Sequence, residues 1–142
     1  LGSIQSFYSI CYLADVTYLA NFAMEPDDYK RDLVVFKKFF WDFYGKLNHR
    51  AQKKIEWTLG LVRDLEIIPS KYFKSIAGTQ GLFEIRVQCG NDAYRIFCFL
   101  NESRCVVLLN GFKKKTNRTP KREIEKAVKL KADYFNEKRD RF

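Results

Sequence analysis

The sequence predicts an α+β domain, read in order as a strand, two helices, a three-stranded antiparallel meander and a C-terminal helix. Three observations carry this prediction. Residues 82–115 form three short runs with strand-like patterning, joined by tight-turn residues. Residues 36–65 and 120–135 repeat apolar side chains at spacings of three and four, the mark of amphipathic helices. With 142 residues, 46% hydrophobic and 16% aromatic, the chain suits one packed domain and is excluded from the disordered class. The helices are expected on one face of a mostly antiparallel sheet.

Residues 1–23 carry one charge, Asp15, and no Lys or Arg. They lack the basic start of a signal peptide and the unbroken apolar run of a spanning helix. Met24, the single methionine, opens the charged run EPDDYKRD. The domain is therefore expected to span 24–142, with 1–23 a leader outside it; an added strand or helix packed on the domain is the alternative. Residues 31–36, RDLVVF, read as a strand. Phe36, Phe39, Phe40, Phe43 and Leu47 then mark a helix whose end Gly45 weakens. Asn48 is placed to cap a second helix with Ala51, Ile55, Leu59, Val62 and Leu65 on its inner face. Pro69 closes that region, and residues 70–81 connect to the meander.

In the first meander strand Phe83, Ile85, Val87 and Cys89 face one way, and Glu84, Arg86 and Gln88 the other. A turn at Asn91-Asp92 would pair Gln88 with Arg95 and Arg86 with Phe97. Tyr94, Ile96, Cys98 and Leu100 then join the apolar face, and a one-residue slip would drive both arginines into it. Val106, Val107, Leu108 and Leu109 are apolar on both faces, as a central strand requires. A turn at Glu102-Ser103 would set Phe97 opposite Leu108 and Arg95 opposite Asn110. Thr119-Pro120 provides a cap followed by proline at the first helical position, and Ile124, Val128 and Phe135 are expected on the inner face of the last helix.

Lys and Arg number 26 against 17 Asp and Glu, a net charge of +9. Residues 104–142 alone hold 13 basic and 5 acidic residues, the electrostatic footprint of a polyanion partner. Cys11, Cys89, Cys98 and Cys105 have no CxxC spacing, so free thiols in a reducing cytoplasm are expected instead of disulfides or zinc. A single His makes a histidine-based metal centre improbable, and His49 is read as a surface residue. Arg86 and Arg95 are the cations held on rigid strands, beside the lysines at 113–115. A site belongs there.

The segments FKSIAGTQGLFEIRV, AYRIFCF, VVLLNGFKKKT and TPKREIEKAVKLKADYF, in this order and spacing, resemble the RelE/ParE superfamily of toxins, and within it the HigB-like, phage-associated branch. The resemblance covers residues 24–135. It implies a RelE-like fold and a type II toxin–antitoxin toxin: a cytoplasmic endoribonuclease that cuts messenger RNA on the ribosome without metal or cofactor. The implied partner is a cognate helix-turn-helix antitoxin. By motif position Arg86, Arg95, Lys113 and Lys114 are the expected catalytic residues; Lys74, Lys115, Phe112 and Arg118 are the expected RNA contacts, with Phe97 a further ring that could stack a base.

The residue types suit that chemistry. RNA carries its own nucleophile, the 2′-hydroxyl, beside the scissile phosphate. An enzyme must align the reacting atoms, move a proton and neutralise an electron-rich phosphorane. Guanidinium forks match phosphate oxygens in pairs. Relatives that use a C-terminal tyrosine or histidines as proton carriers have no clear equivalent here: Tyr134 is read as packing, and the general base stays open.

Overall fold

The structure is a computed structural model that describes residues 12–13, 16–19, 30–102 and 104–140, the first two segments as backbone. Among the described residues seven strands form one sheet: β1 (Tyr12–Leu13), β2 (Val16–Leu19), β3 (Asp32–Phe36), β4 (Phe73–Ser75), β5 (Leu82–Cys89), β6 (Asp92–Asn101) and β7 (Cys105–Lys114). The helices among the described residues are α1 (Phe39–Gly45), α2 (His49–Asp64) and α3 (Lys121–Asp140). The sheet order is β1-β2-β3-β7-β6-β5-β4, antiparallel except where β3 runs parallel to β7. The expected α+β order of strand, two helices, meander and helix is present. Met24, the expected start of the domain, and Cys11 lie outside the described residues; β2, from the expected leader, pairs with β3.

Local chemistry accounts for the elements. Asn48 caps α2, its side-chain oxygen accepting from the Ala51 N–H at 2.9 Å. At the far end the Arg31 guanidinium donates to the carbonyls of Val62, Leu65 and Glu66, closing the last turn of α2 against the start of β3. The three-residue strand β4 falls within the stretch expected to be a plain connection; three residues are too few for alternation to register. In α3 the Pro120 carbonyl accepts from Glu123 and Ile124, which puts proline at the cap instead of the first helical position.

Val106 to Leu109 are fully buried, as a central strand demands. The expectation that all helices share one face is overturned. One layer joins α1 and α2 to the sheet through Phe40, Tyr44, Ile55, Leu59, Ile85, Ile96 and Leu108. The other joins α3 to the opposite face through Ala127, Leu130, Phe97, Phe99, Val107 and Leu109. A strand apolar on both faces must be covered on both, so the third helix crosses to the free side. Within α3 Ala127 and Leu130 are buried and Ile124 packs with them as expected, whereas Val128 and Phe135 are exposed. Phe135 still lies 5.4 Å from Phe99. Leu65 and Leu100 are likewise exposed instead of facing the core.

The meander registers also differ from expectation. The β5–β6 turn is Gly90-Asn91, with Gly90 at φ 60° in the left-handed region glycine tolerates. Arg86 therefore opposes Arg95, and Gln88 opposes Ala93. The shift is two residues, so every side chain keeps its expected face. Between β6 and β7 the pair Asn101–Cys105 closes the connection, with Glu102 at φ 59°. Ser103 of the expected turn lies outside the described residues. Phe99 then opposes Val107 and Cys98 opposes Leu108, which corrects the expected Phe97–Leu108 pair. A bulge between Ile96 and Cys98 moves the register one residue further, so Arg95 opposes Phe112 and not Asn110. Asn110 instead donates to the carbonyl and carboxylate of Glu123 on α3.

Cys98 is buried, and Cys89 and Cys105 are partly buried free thiols. Burial pushes the Cys98 thiol up; burial first, then Asp32 and Glu102, push Cys105 up to about 11. A thiol harder to ionise when folded supports stability below its unfolded pKa of 9.0, and that support is lost as pH climbs through the folded value. Stability should therefore fall between pH 9 and about 11, and thermal melts of Cys105→Ala should show a shallower decline. Gly111 has a different role: a Cβ there would sit 2.4 Å from the Phe43 ring. Gly111→Ala should cost about 1–3 kcal/mol in denaturant unfolding, and Phe43→Leu should relieve part of that cost.

Candidate functional site

Strand pairing builds the site as a lattice on the sheet face that α3 only partly covers. One row runs Lys74, Glu84, Phe97; the next Arg86, Arg95, Phe112; the third Gln88, Ala93, Lys114. Opposed residues on one face stand about 5 Å apart at Cβ, so these side chains are mutual neighbours. The expected meeting of Arg86 and Arg95 on one side of the sheet is present.

Two like charges directly opposite repel, and Glu84 supplies the counter-charge. Its Oε1 lies 3.6 Å from Arg86 Nε and its Oε2 3.8 Å from Arg95 Nε, so the carboxylate straddles both guanidinium groups. Arg95 is only 7% exposed. Its Nη1 donates to the Tyr94 carbonyl at 3.0 Å, while its Nε, at ion-pair but not hydrogen-bond distance from Glu84, has no hydrogen-bond partner. Burial lowers the Arg95 pKa, Glu84 opposes that effect, and Arg86 adds to it. Arg95 is thus a fixed cation in a poorly solvated position with donor capacity left over. Arg86 is one-third exposed at the side chain and can meet a ligand directly.

The expected residues divide by where β7 directs them. Lys114 and Phe112 share the arginine face. Lys113 opposes Tyr94 on the α1–α2 face and pairs with Asp92 at 3.2 Å, so the structure does not bring it to the arginines. Lys115 and Arg118 are exposed beyond the strand, and Lys74 is exposed across from Glu84. Phe97 is fully buried, its ring 5.3 Å from Phe112, which leaves Phe112 as the ring a base could reach. His49 is exposed at the start of α2, and Tyr134 packs against Phe36 and Phe99. Among the described residues no three His, Cys, Asp or Glu side chains gather as metal ligands, and no helix is long and apolar enough to cross a membrane.

A cleft of about 440 Å³ opens beside the arginines, bounded also by Lys54, Lys71 and Tyr72. It exists because β4 pairs with β5 only as far as Ile85, after which the Arg86 N–H donates to the Tyr72 carbonyl at 2.8 Å and the strand edge lies open. Glu84, which sequence reading places on the arginine face as an ion-pair partner of Arg95 that steadies the sheet, pairs with Arg86 as well. Sequence reading missed Lys54, Lys71 and Tyr72, because α2 and the β4 approach meet the arginines only through the fold.

Residues 42–132 match the family described as phage derived protein Gp49-like (DUF891). The chain belongs to that family. It is a RelE-like toxin family, and residues 42–132 include the arginine strands, β7 and most of α3. No curated protein gave a significant match to this chain.

Removing the straddling carboxylate tests whether it holds the arginines. Glu84→Gln should destabilise the fold by about 1–3 kcal/mol in urea unfolding, because Arg95 keeps its burial and loses its counter-charge. Adding Arg95→Met should recover much of that loss in a double-mutant cycle.

Proposed function

We propose that this protein is the toxin of a type II toxin–antitoxin pair, of the HigB-like branch. Its activity is endoribonucleolytic cleavage of messenger RNA on the ribosome, without a metal. The observation that carries the reading is the paired Arg86 and Arg95 with Glu84 between them, on a stiff sheet in a Gp49-like chain. Membership of a RelE-like toxin family supports an antitoxin partner, read here as a helix-turn-helix protein.

In the proposed reaction the 2′-oxygen forms a bond to phosphorus as the bond to the 5′-oxygen breaks. The products are a 2′,3′-cyclic phosphate and a 5′-hydroxyl. Arg86 contacts a non-bridging phosphate oxygen, and Arg95 stabilises the added charge from its poorly solvated position. Glu84, held between the two arginines, takes the 2′-hydroxyl proton, and Lys114 returns one to the departing 5′-oxygen. Lys74, Lys115 and Arg118 hold flanking phosphates, and Phe112 stacks a base. Lys113, turned to the other face, has no part in the chemistry.

One observation favours a second reading. A carboxylate shared between two arginines is also the geometry of a structural ion network, and an inactive antitoxin- or RNA-binding module would use it that way.

Induced expression should halt growth and leave translated messages cut at defined positions when RNA ends are mapped. Arg86→Ala and Arg95→Lys should each lower cleavage about 100- to 1000-fold, with circular dichroism confirming the fold. Harmless expression would favour the inactive module. DNA damage with messages intact would replace the nuclease by a gyrase-poisoning, ParE-like activity.

A further inference from the structure

Beyond the arginine face, α2 carries Arg50 and, three, four and seven residues on, Lys53, Lys54 and Trp57, one stripe beside the end of β5 and the Gly90 turn. Trp57 is 48% exposed, unusual for the largest apolar side chain. Its ring meets Tyr72 edge-on at 5.7 Å, and Lys54 Nζ stands 4.2 Å from its centroid. These contacts hold the indole in place, Lys54 over the ring, and leave about half of the residue exposed. A shallow cleft along Trp57 and the Gly90 turn shares Lys54 and Gln88 with the cleft of the arginines. A continuous trough therefore runs from Arg86 and Arg95, around the open edge of β5, to Trp57. Among the described residues cations line both parts and no carboxylate does, Glu84 lying behind the arginines as their counter-charge.

We propose that this trough seats single-stranded RNA flanking the cleaved phosphate, with an unpaired base stacked on Trp57 and neighbouring phosphates on Lys54 and Lys71. The inference rests on RNA meeting the arginine face and extends its path by a subsite on α2. The charge excludes a cationic ligand and suits a polyanion. The exposed indole selects the single strand, because a duplex keeps its bases stacked on one another, and an aromatic face accepts any base. The subsite thus adds affinity without sequence preference.

The test uses a labelled 2′-O-methyl oligoribonucleotide of about 12 nucleotides, read by fluorescence anisotropy. It cannot be cleaved through its 2′-oxygen, so an inactive enzyme would leave the binding result standing. Trp57→Ala should weaken binding about 10-fold, Trp57→Phe should keep most of it, and a duplex of the same sequence should show no dependence on Trp57. Lys54→Ala with Lys71→Ala should flatten the salt slope by about 1.4. Equal affinities of Trp57→Ala and the native protein would overturn the proposal, as would an equal loss on the duplex. If Trp57→Ala keeps RNA affinity but loses a co-expressed helix-turn-helix partner, the surface belongs to protein and the proposal falls.

Discussion

Both hydrophobic layers hang on β7. Its Val106 and Leu108 complete the core under α1 and α2, and its Val107 and Leu109 complete the core under α3. Buried from both sides, the strand cannot slide without exchanging the two layers, so its register is held by far more apolar area than any turn supplies. That rigidity reaches the site, since Phe112 and Lys114 are the same strand a few residues on. The bulge between Ile96 and Cys98 then decides which lysine is presented. Had the Asn101–Cys105 register run through unbroken, Lys113 would have stood on the arginine face. The inserted residue turns the strand by one position and brings Lys114 there instead.

A second constraint is electrostatic. Gly90 sets a turn that makes Arg86 and Arg95 direct neighbours, an arrangement the sheet tolerates only with an anion close by. Glu84 meets that need from the same strand as Arg86. Its position leaves three ionised groups within a small area and a net positive charge, so the face is held together and still attracts phosphate. Burial of Arg95 sharpens the effect, because a desolvated cation acts through a lower effective dielectric.

The element order was legible because each signal was long: the 3.6-residue period of α2, the alternation of β5, the doubly apolar run of β7. Faces were legible in β5 and β6 even though the turn was placed one residue late, since that error shifts pairing by two and parity survives. In β7 two one-residue departures, at the connection and at the bulge, add to two and restore parity, so Phe112 and Lys114 still reached the arginine face while the Leu108 pairing did not. What sequence could not carry was relation between layers. The crossing of α3 to the far face, the open edge beyond β4, and the approach of Lys54 and Tyr72 to the arginines all arise from contacts distant in the chain.

The parallel pairing of β3 with β7 has a consequence for how the molecule is made. Asp32 meets Cys105 and Val35 meets Leu108, so β3 gains its inner neighbour only after the whole meander has left the ribosome. At ordinary synthesis rates that interval is on the order of 4–15 s, during which a strand of Leu33, Val34, Val35 and Phe36 waits beside incomplete structure. Such non-local closure is slow to nucleate. The nascent chain thus completes its central sheet late, with the arginine strands already paired and β3 paired only with β2.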